Sequence, residues 1–157
     1  IIVALPAAIL LGMKREAVGA SFSLNREYHM ALINDIYGPD SFEARGSLSV
    51  YIIGGMIGTI YFGFLATLVS MTGLFTPEAL GLGSGIGAGI FMASASASLS
   101  AIYPESAAAI NTLASAGETI AGITGIYMYM FIGIPLCAKL YRILEPKLSR
   151  FALKKDF

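Results

Sequence analysis

The sequence predicts an all-α integral membrane protein with about four to five transmembrane or re-entrant helices, two of them interrupted. Three observations carry this expectation. The 157 residues are 56% hydrophobic and only 13% Asp, Glu, Lys and Arg, about half the charge of a water-soluble domain, and the mean hydropathy is +0.75. No Lys or Arg occurs between Arg45 and Lys139, and only Glu78, Glu105 and Glu118 are acidic there. Of the charge-free runs 46–77, 79–104, 106–117 and 119–138, all but 106–117 reach the roughly 20 residues needed to cross about 30 Å of hydrocarbon at 1.5 Å per residue. No alternating strand pattern competes. Backbone groups in lipid must be bonded within their own segment, so the spans are helical.

The same numbers exclude other classes. A small soluble core cannot bury this much apolar surface, and a disordered chain would be poor in it. Zero net charge leaves no electrostatic footprint for nucleic acid; the expected partner is the lipid bilayer. The single cysteine, Cys137, rules out an internal disulfide or a cysteine-built metal site and reads as an apolar filler. No metal and no cofactor are expected.

Taken in order, 1–13 (IIVALPAAILLGM) is apolar but too short to cross. It is followed, not preceded, by a basic pair, so it is no signal peptide. It reads as the end of a truncated helix, and the chain as the C-terminal part of a larger bundle whose N-terminal portion is a further partner. Segment 16–37 carries Arg26, Glu27, His29 and Asp35 and is too polar to face lipid. Gly38-Pro39-Asp40-Ser41 is a turn, with Ser41 capping a short helix through Arg45. Segment 47–72 is a span. Thr76-Pro77-Glu78 is an N-cap with Pro at the first helical position and opens segment 78–103, which Pro104 ends. Ser106 to Ala116 makes a short helix, and Gly117-Glu118 leads into a span over 119–142. Residues 1–143 thus form a polytopic membrane domain and 144–157 a basic tail. Six of the ten basic residues follow the last span, which predicts a cytoplasmic C-terminus. With every segment crossing once, Lys14-Arg15 is also cytoplasmic and connector 38–45 lies outside; a re-entrant 16–37 would change that count.

Segment 78–103 is not a plain anchor. Gly81, Gly85, Gly89, Ala93, Ala97 and Ala101 form an i, i+4 row on which another helix can approach closely; Gly54 and Gly58 provide a second packing surface. Glycine at this density costs about 1 kcal/mol of helicity per residue relative to alanine. Two readings follow: tight packing with the serines bonded to their own helix, or a helix broken near 83–89 whose freed amides and hydroxyls line a polar site. Segment 16–37 is equally divided. Its charges face a cavity or one another, or it breaks after Leu24 and lies among the headgroups. Arg26 and Glu27 are adjacent and need separate partners, Glu118 being the candidate for Arg26. His29 reads first as an interfacial or internally bonded histidine and second as a proton relay. Val18–Phe22 and Ile86–Ile90 also align, at an offset of 68, and paired interrupted helices are the sequence mark of a secondary transporter's site.

The stretch GMKREAVGASFSLNREYHMALINDIYGPDSFEARG, the span after it and ALGLGSGIGAGIFMASASASLSAIYPE resemble the bacterial membrane family called domain of unknown function 3100, over about residues 10–145. The order of elements is also similar to LrgB/CidB-type proteins, which implies export or uptake of small monocarboxylates or a holin-like role in the bacterial cytoplasmic membrane. The histidine of the LrgB-type small-residue segment has no counterpart among Ser94 to Ser100, so the resemblance implies architecture and no ligand-binding residue.

The expected function is movement of a small anionic organic solute by alternating access. Ser21, Ser23, Asn25, Ser94 and Ser96 would supply hydroxyls and an amide, Arg26 would neutralise the anion, and Glu27 and Glu118 would carry a coupling ion. The alternative is a structural or holin-like homo-oligomer held by Gly54, Gly58, Gly81, Gly85 and Gly89. An enzyme is not expected: no Gly-x-Ser-x-Gly elbow and no HExxH motif occur, and one histidine cannot furnish the usual metal ligands.

Overall fold

A computed structural model describes residues 1–21 and 26–148, Arg26 by its backbone alone, and the regular structure among them is helical. Ser23, Asn25, the break expected after Leu24 and the end of the basic tail lie outside the described residues. Helix α1 (Ala4–Leu10) is followed by Gly12 at φ 86°, and α2 (Glu16–Ala20) and α3 (Arg26–Tyr37) by Gly38 at φ 89°. Helix α4 (Phe42–Met71) starts at Ser41, whose hydroxyl accepts from the Ala44 amide at 3.1 Å. Helix α5 (Pro77–Ser84) starts at Thr76, which caps the Ala79 amide at 3.3 Å. After a break, α6 (Gly89–Ile102) leads through a 3-10 turn into α7 (Ala107–Met128), a π-helical turn (Tyr129–Gly133) and α8 (Ile134–Leu148).

Two expected boundaries are corrected. The short helix ending at Arg45 and the span from 47 are one helix, because Gly46 keeps its helical bonds and is buried at a crossing. The short helix over 106–116 and the span from 119 also run together, with Gly117 buried and Glu118 in mid-helix. The chain therefore has two helical runs long and apolar enough to cross a membrane, Phe42–Met71 and Pro104–Leu148. Only 11% of the most apolar window of the first is buried and 33% of the second, the reverse of a soluble core helix. Ile53, Met56, Ile57, Ile60 and Phe64 point their apolar side chains outward.

The chain divides into two compact units. The first comprises Ile1–Ser23, Tyr28–Tyr51 and Ile126–Phe157. Here Leu5, Ala8 and Ile9 of α1 pack with Ala17 and Val18 of α2 and Cys137 of α8. The second comprises Leu24–Glu27 and Ile52–Gly125, where Phe91 of α6 stacks on Phe62 of α4 at 4.9 Å and fills the space beside Gly58.

The ends of 16–37 and of 78–103 lie close together, which the count of single crossings did not expect. Arg15, just before 16–37, pairs with Glu43, just after it, at 2.9 Å; a crossing segment would hold these groups on opposite faces. Tyr103, at the end of 78–103, donates to the Ser70 carbonyl at 3.4 Å, beside where that segment begins. Each segment returns to its starting end. Length explains this: α6, the longer half of its segment with 14 residues, reaches only about 21 Å.

Both hairpins are pinned to the following long helix in the same way. In the first unit, a Cβ on Gly19 would overlap the Glu43 carbonyl oxygen, and one on Gly46 would overlap that of Glu16. In the second unit, a Cβ on Gly85 would overlap the Ala114 carbonyl oxygen, and one on Gly117 that of Leu82. In every case the obstructing carbonyl lies three residues before the partner helix's own crossing glycine. The equivalence continues along the long helices. Gly58, twelve residues past Gly46, receives Phe91 from α6, and Tyr129, twelve past Gly117, receives His29 from α3.

These contacts generate two predictions. Gly85→Val should destabilise the protein by about 1–3 kcal/mol, since the opposing backbone cannot yield. Gly83→Val, where nothing lies within 4 Å, should shift the detergent melting midpoint far less. Arg15→Gln should cost about 1 kcal/mol, because Arg15 is largely solvated although Glu43 is buried. A double-mutant cycle with Glu43→Gln checks the coupling.

Candidate functional site

The site is built by the break in segment 78–103. Helix α5 ends at Ser84, and Gly85 continues as its C-cap. Gly87 then takes φ 147°, a conformation open to glycine, and Ala88 is extended. Helix α6 therefore restarts at Gly89 with no side-chain cap, and the positive end of its dipole begins there. The break falls within the stretch 83–89 in which the glycine density predicted it.

The break also re-phases the small-residue row. Gly81 and Gly85 are buried against Ile110, Ala114 and Gly117 of α7, whereas Ala93, Ala97 and Ala101 are exposed. One face in the sequence is two faces in the fold. Gly89 marks the change: the point where its Cβ would stand is 3.1 Å from Glu118 Oε1 and 4.0 Å from Glu27 Oε1. The two carboxylates singled out for ion coupling are thus brought together at the α6 N-terminus. Glu118 arrives there because Gly117 lets α7 touch α5, and Glu27 because it occupies the first turn of α3. Oxygen Oε2 of Glu27 is buried without a hydrogen-bond partner.

The serines fall elsewhere. Ser94 donates to the Thr59 carbonyl at 2.7 Å, Ser96 to that of Ala93 at 3.4 Å, and Ser21 to that of Ala17. A hydroxyl has one hydrogen, so these three retain only lone pairs for anything else. Ser23, Asn25 and the Arg26 side chain lie outside the described residues. Of the packing glycines, Gly58 meets Phe91 and Gly81 and Gly85 meet α7; Gly54 is half-buried, while its neighbour Gly55 is buried beside Ile90.

Sequence reasoning missed the crossing glycines Gly19, Gly46 and Gly117. Each stands three positions after the residue whose carbonyl the partner glycine meets, and a glycine held inside a helical stretch was the available signal. It also left His29 open between two readings. His29 is buried, Nε2 donates to the Gly19 carbonyl at 2.9 Å, and the ring packs on Tyr129 at 5.1 Å, so the internally bonded reading describes its surroundings. Nearby, burial and then the Glu43 carboxylate push the Tyr37 phenol above its ordinary value.

An open groove of about 280 Å³ lies between α4, α5 and α6, lined by Phe62, Val69, Leu80 and Leu99 among others. Ser84 is its one hydroxyl, and neither carboxylate reaches it. Among the described residues no group of three or more His, Cys, Asp or Glu is placed to hold a metal ion. No curated protein and no solved structure matches the chain. The model of the family described as protein of unknown function (DUF3100) matches residues 1–143, and the chain belongs to that family.

Proposed function

We propose that this chain forms the core of a secondary transporter that moves a small organic anion together with a proton. The observation that carries the reading is the broken helix whose second half begins at Glu27 and Glu118. An uncapped helix N-terminus attracts negative charge with about half an elementary charge, and broken helices in transporters present such ends to anionic groups. Here the two carboxylates already occupy the vicinity of that end. An incoming anion would be repelled by their negative charge, and a proton carried in with it would relieve that repulsion. Anion entry and proton uptake are thereby linked in the same direction. The buried, unpartnered oxygen of Glu27 is an acceptor for that proton.

The matched glycine crossings support the same reading. Short helix, second helix and long helix follow one another twice, with equivalent contacts in each unit, and transporter cores are built from such repeats. In this reading α4 and the run Pro104–Leu148 are the spans, the two hairpins are re-entrant, and the cation-rich first unit lies on the cytoplasmic side with the C-terminus. Connector 38–45 moves with it, to the side opposite the one the single-crossing count assigned. The oligomer reading has one observation in its favour, the exposed row Ala93, Ala97 and Ala101. The packing glycines Gly58, Gly81 and Gly85 are occupied within the chain.

The test is proteoliposome uptake of labelled acetate, lactate and pyruvate with a pH-sensitive dye inside. Inward movement of at least one probe should acidify the lumen and accelerate as the outside pH falls. Glu118→Gln should abolish that pH dependence and slow flux at least tenfold, with Glu27→Gln acting in the same direction. Uptake without proton movement, or carboxylate variants that keep the wild-type pH profile, would overturn the coupling. An Ala97→Leu variant that loses both oligomer and flux would favour the association reading.

A further inference from the structure

The first unit carries a charged face that transport does not use. The turn between α1 and α2 holds Lys14 and Arg15, and α8 holds Lys139, Arg142 and Lys147; all five are exposed. These two elements are fixed to each other, since Met13, Leu140, Tyr141, Leu144 and Leu148 pack on the core formed by α1, α2 and Cys137. The carboxylates of the same elements are withdrawn: Glu16 and Glu145 are half-buried, and Glu43, contributed by α4, is buried against Arg15. The exposed acids of the unit, Asp35 and Asp40, belong to α3 and the turn after it. Exposed apolar side chains stand close to the cations in the chain: Leu11 (65%) three residues before Lys14, and Ile143 (47%) one helical turn from both Lys139 and Lys147.

We infer that this face, Lys14, Lys139, Arg142 and Lys147 with their apolar border, binds the headgroups of anionic phospholipids. The occupant follows from the pairing of two chemistries. Basic side chains alone would suit any polyanion, but cations set directly beside outward-facing aliphatic side chains match a phosphate attached to acyl chains. Arg15 is partly neutralised by Glu43, so the remaining four cations carry the attraction. Lys and Arg stems lie along apolar surface while their heads reach outward, which suits positions at the level where headgroups meet hydrocarbon. The inference rests on the membrane reading and is independent of transport.

The experiment uses the purified full-length chain in a neutral detergent and follows its melting midpoint with added phosphatidylglycerol, phosphatidylcholine or free glycerol 3-phosphate. Phosphatidylglycerol should raise the midpoint, and the other two should not. Raising the salt should remove the shift, because surface charges are screened within about 3 Å at 1 M. The variant Lys14→Gln/Lys139→Gln/Arg142→Gln should lose at least half of the phosphatidylglycerol shift while keeping the wild-type midpoint in phosphatidylcholine. The salt series on the wild-type chain gives an independent readout if the variant folds poorly. Equal shifts from both lipids, a shift that survives high salt, or an equal response to glycerol 3-phosphate would overturn the inference. Loss of proteoliposome uptake with an intact lipid response would instead count against transport alone.

Discussion

Two helix backbones can touch only where neither carries a side chain at the crossing, and both hairpins depend on this constraint. Gly19 with Gly46, and Gly85 with Gly117, each remove two Cβ atoms from one crossing. The contact brings carbonyl oxygen against Cα, where weak C–H···O bonds add to dispersion. Close approach has a consequence beyond stability. The residue after each long-helix glycine is carried against the short helix, so the Ser47 amide faces Gly19 and the Glu118 amide faces Gly85. Had α7 stood off by one methyl group, the Glu118 side chain would not share the end of α6.

Glycine serves a second purpose at the break. Within α5, Gly81, Gly83 and Gly85 weaken the helix, and Gly87 supplies the positive φ that redirects the chain. Helix α6 begins again on a new face, so its dipole starts in the interior instead of merging with that of α5. A continuous helix would have satisfied these amides with its own carbonyls. The proposed site is thus a by-product of breaking the backbone, and the carboxylates beside it determine which charge can enter. That also explains why the serines of α6 contribute less than their number suggests: in mid-helix their hydroxyls return to carbonyls at i−3 or i−4 or, for Ser94, to α4.

Legibility followed the range of the interactions. The caps at Ser41 and Thr76, the apolar lengths within 42–71 and 104–148 and, as one of two readings, the break within 83–89 were readable because each depends on neighbours in the chain. The ends of 106–116 and 119–142 were misjudged because glycine beside a charge resembles a terminus in sequence, whereas packing on α5 keeps Gly117 helical. Whether 16–37 crosses or re-enters stayed open in the sequence, because its ends are joined by an ion pair between Arg15 and Glu43 that no local pattern announces. The repeat was visible only as Val18–Phe22 against Ile86–Ile90. Contacts instead align Gly19 with Gly85, two residues earlier than the sequence match places it. For the site residues, Glu27 and Glu118 were identified by a charge-cost argument that does not require knowing the fold. Their meeting point at Gly89 does require it.

The return of both hairpins resolves a tension in the charge pattern. If 16–37 crossed, acidic connector 38–45 would face away from Lys14-Arg15, and the buried Glu43 would have no cation within reach. Lys14, Arg15, Arg45, Lys139, Arg142 and Lys147 all belong to the first unit. The second unit keeps its carboxylates at the break and at its loops. In the proposed reading, an anion drawn toward the uncapped end of α6 is balanced by helix amides, by protons on Glu27 or Glu118 and by Arg26, the residue beside Glu27 in the chain.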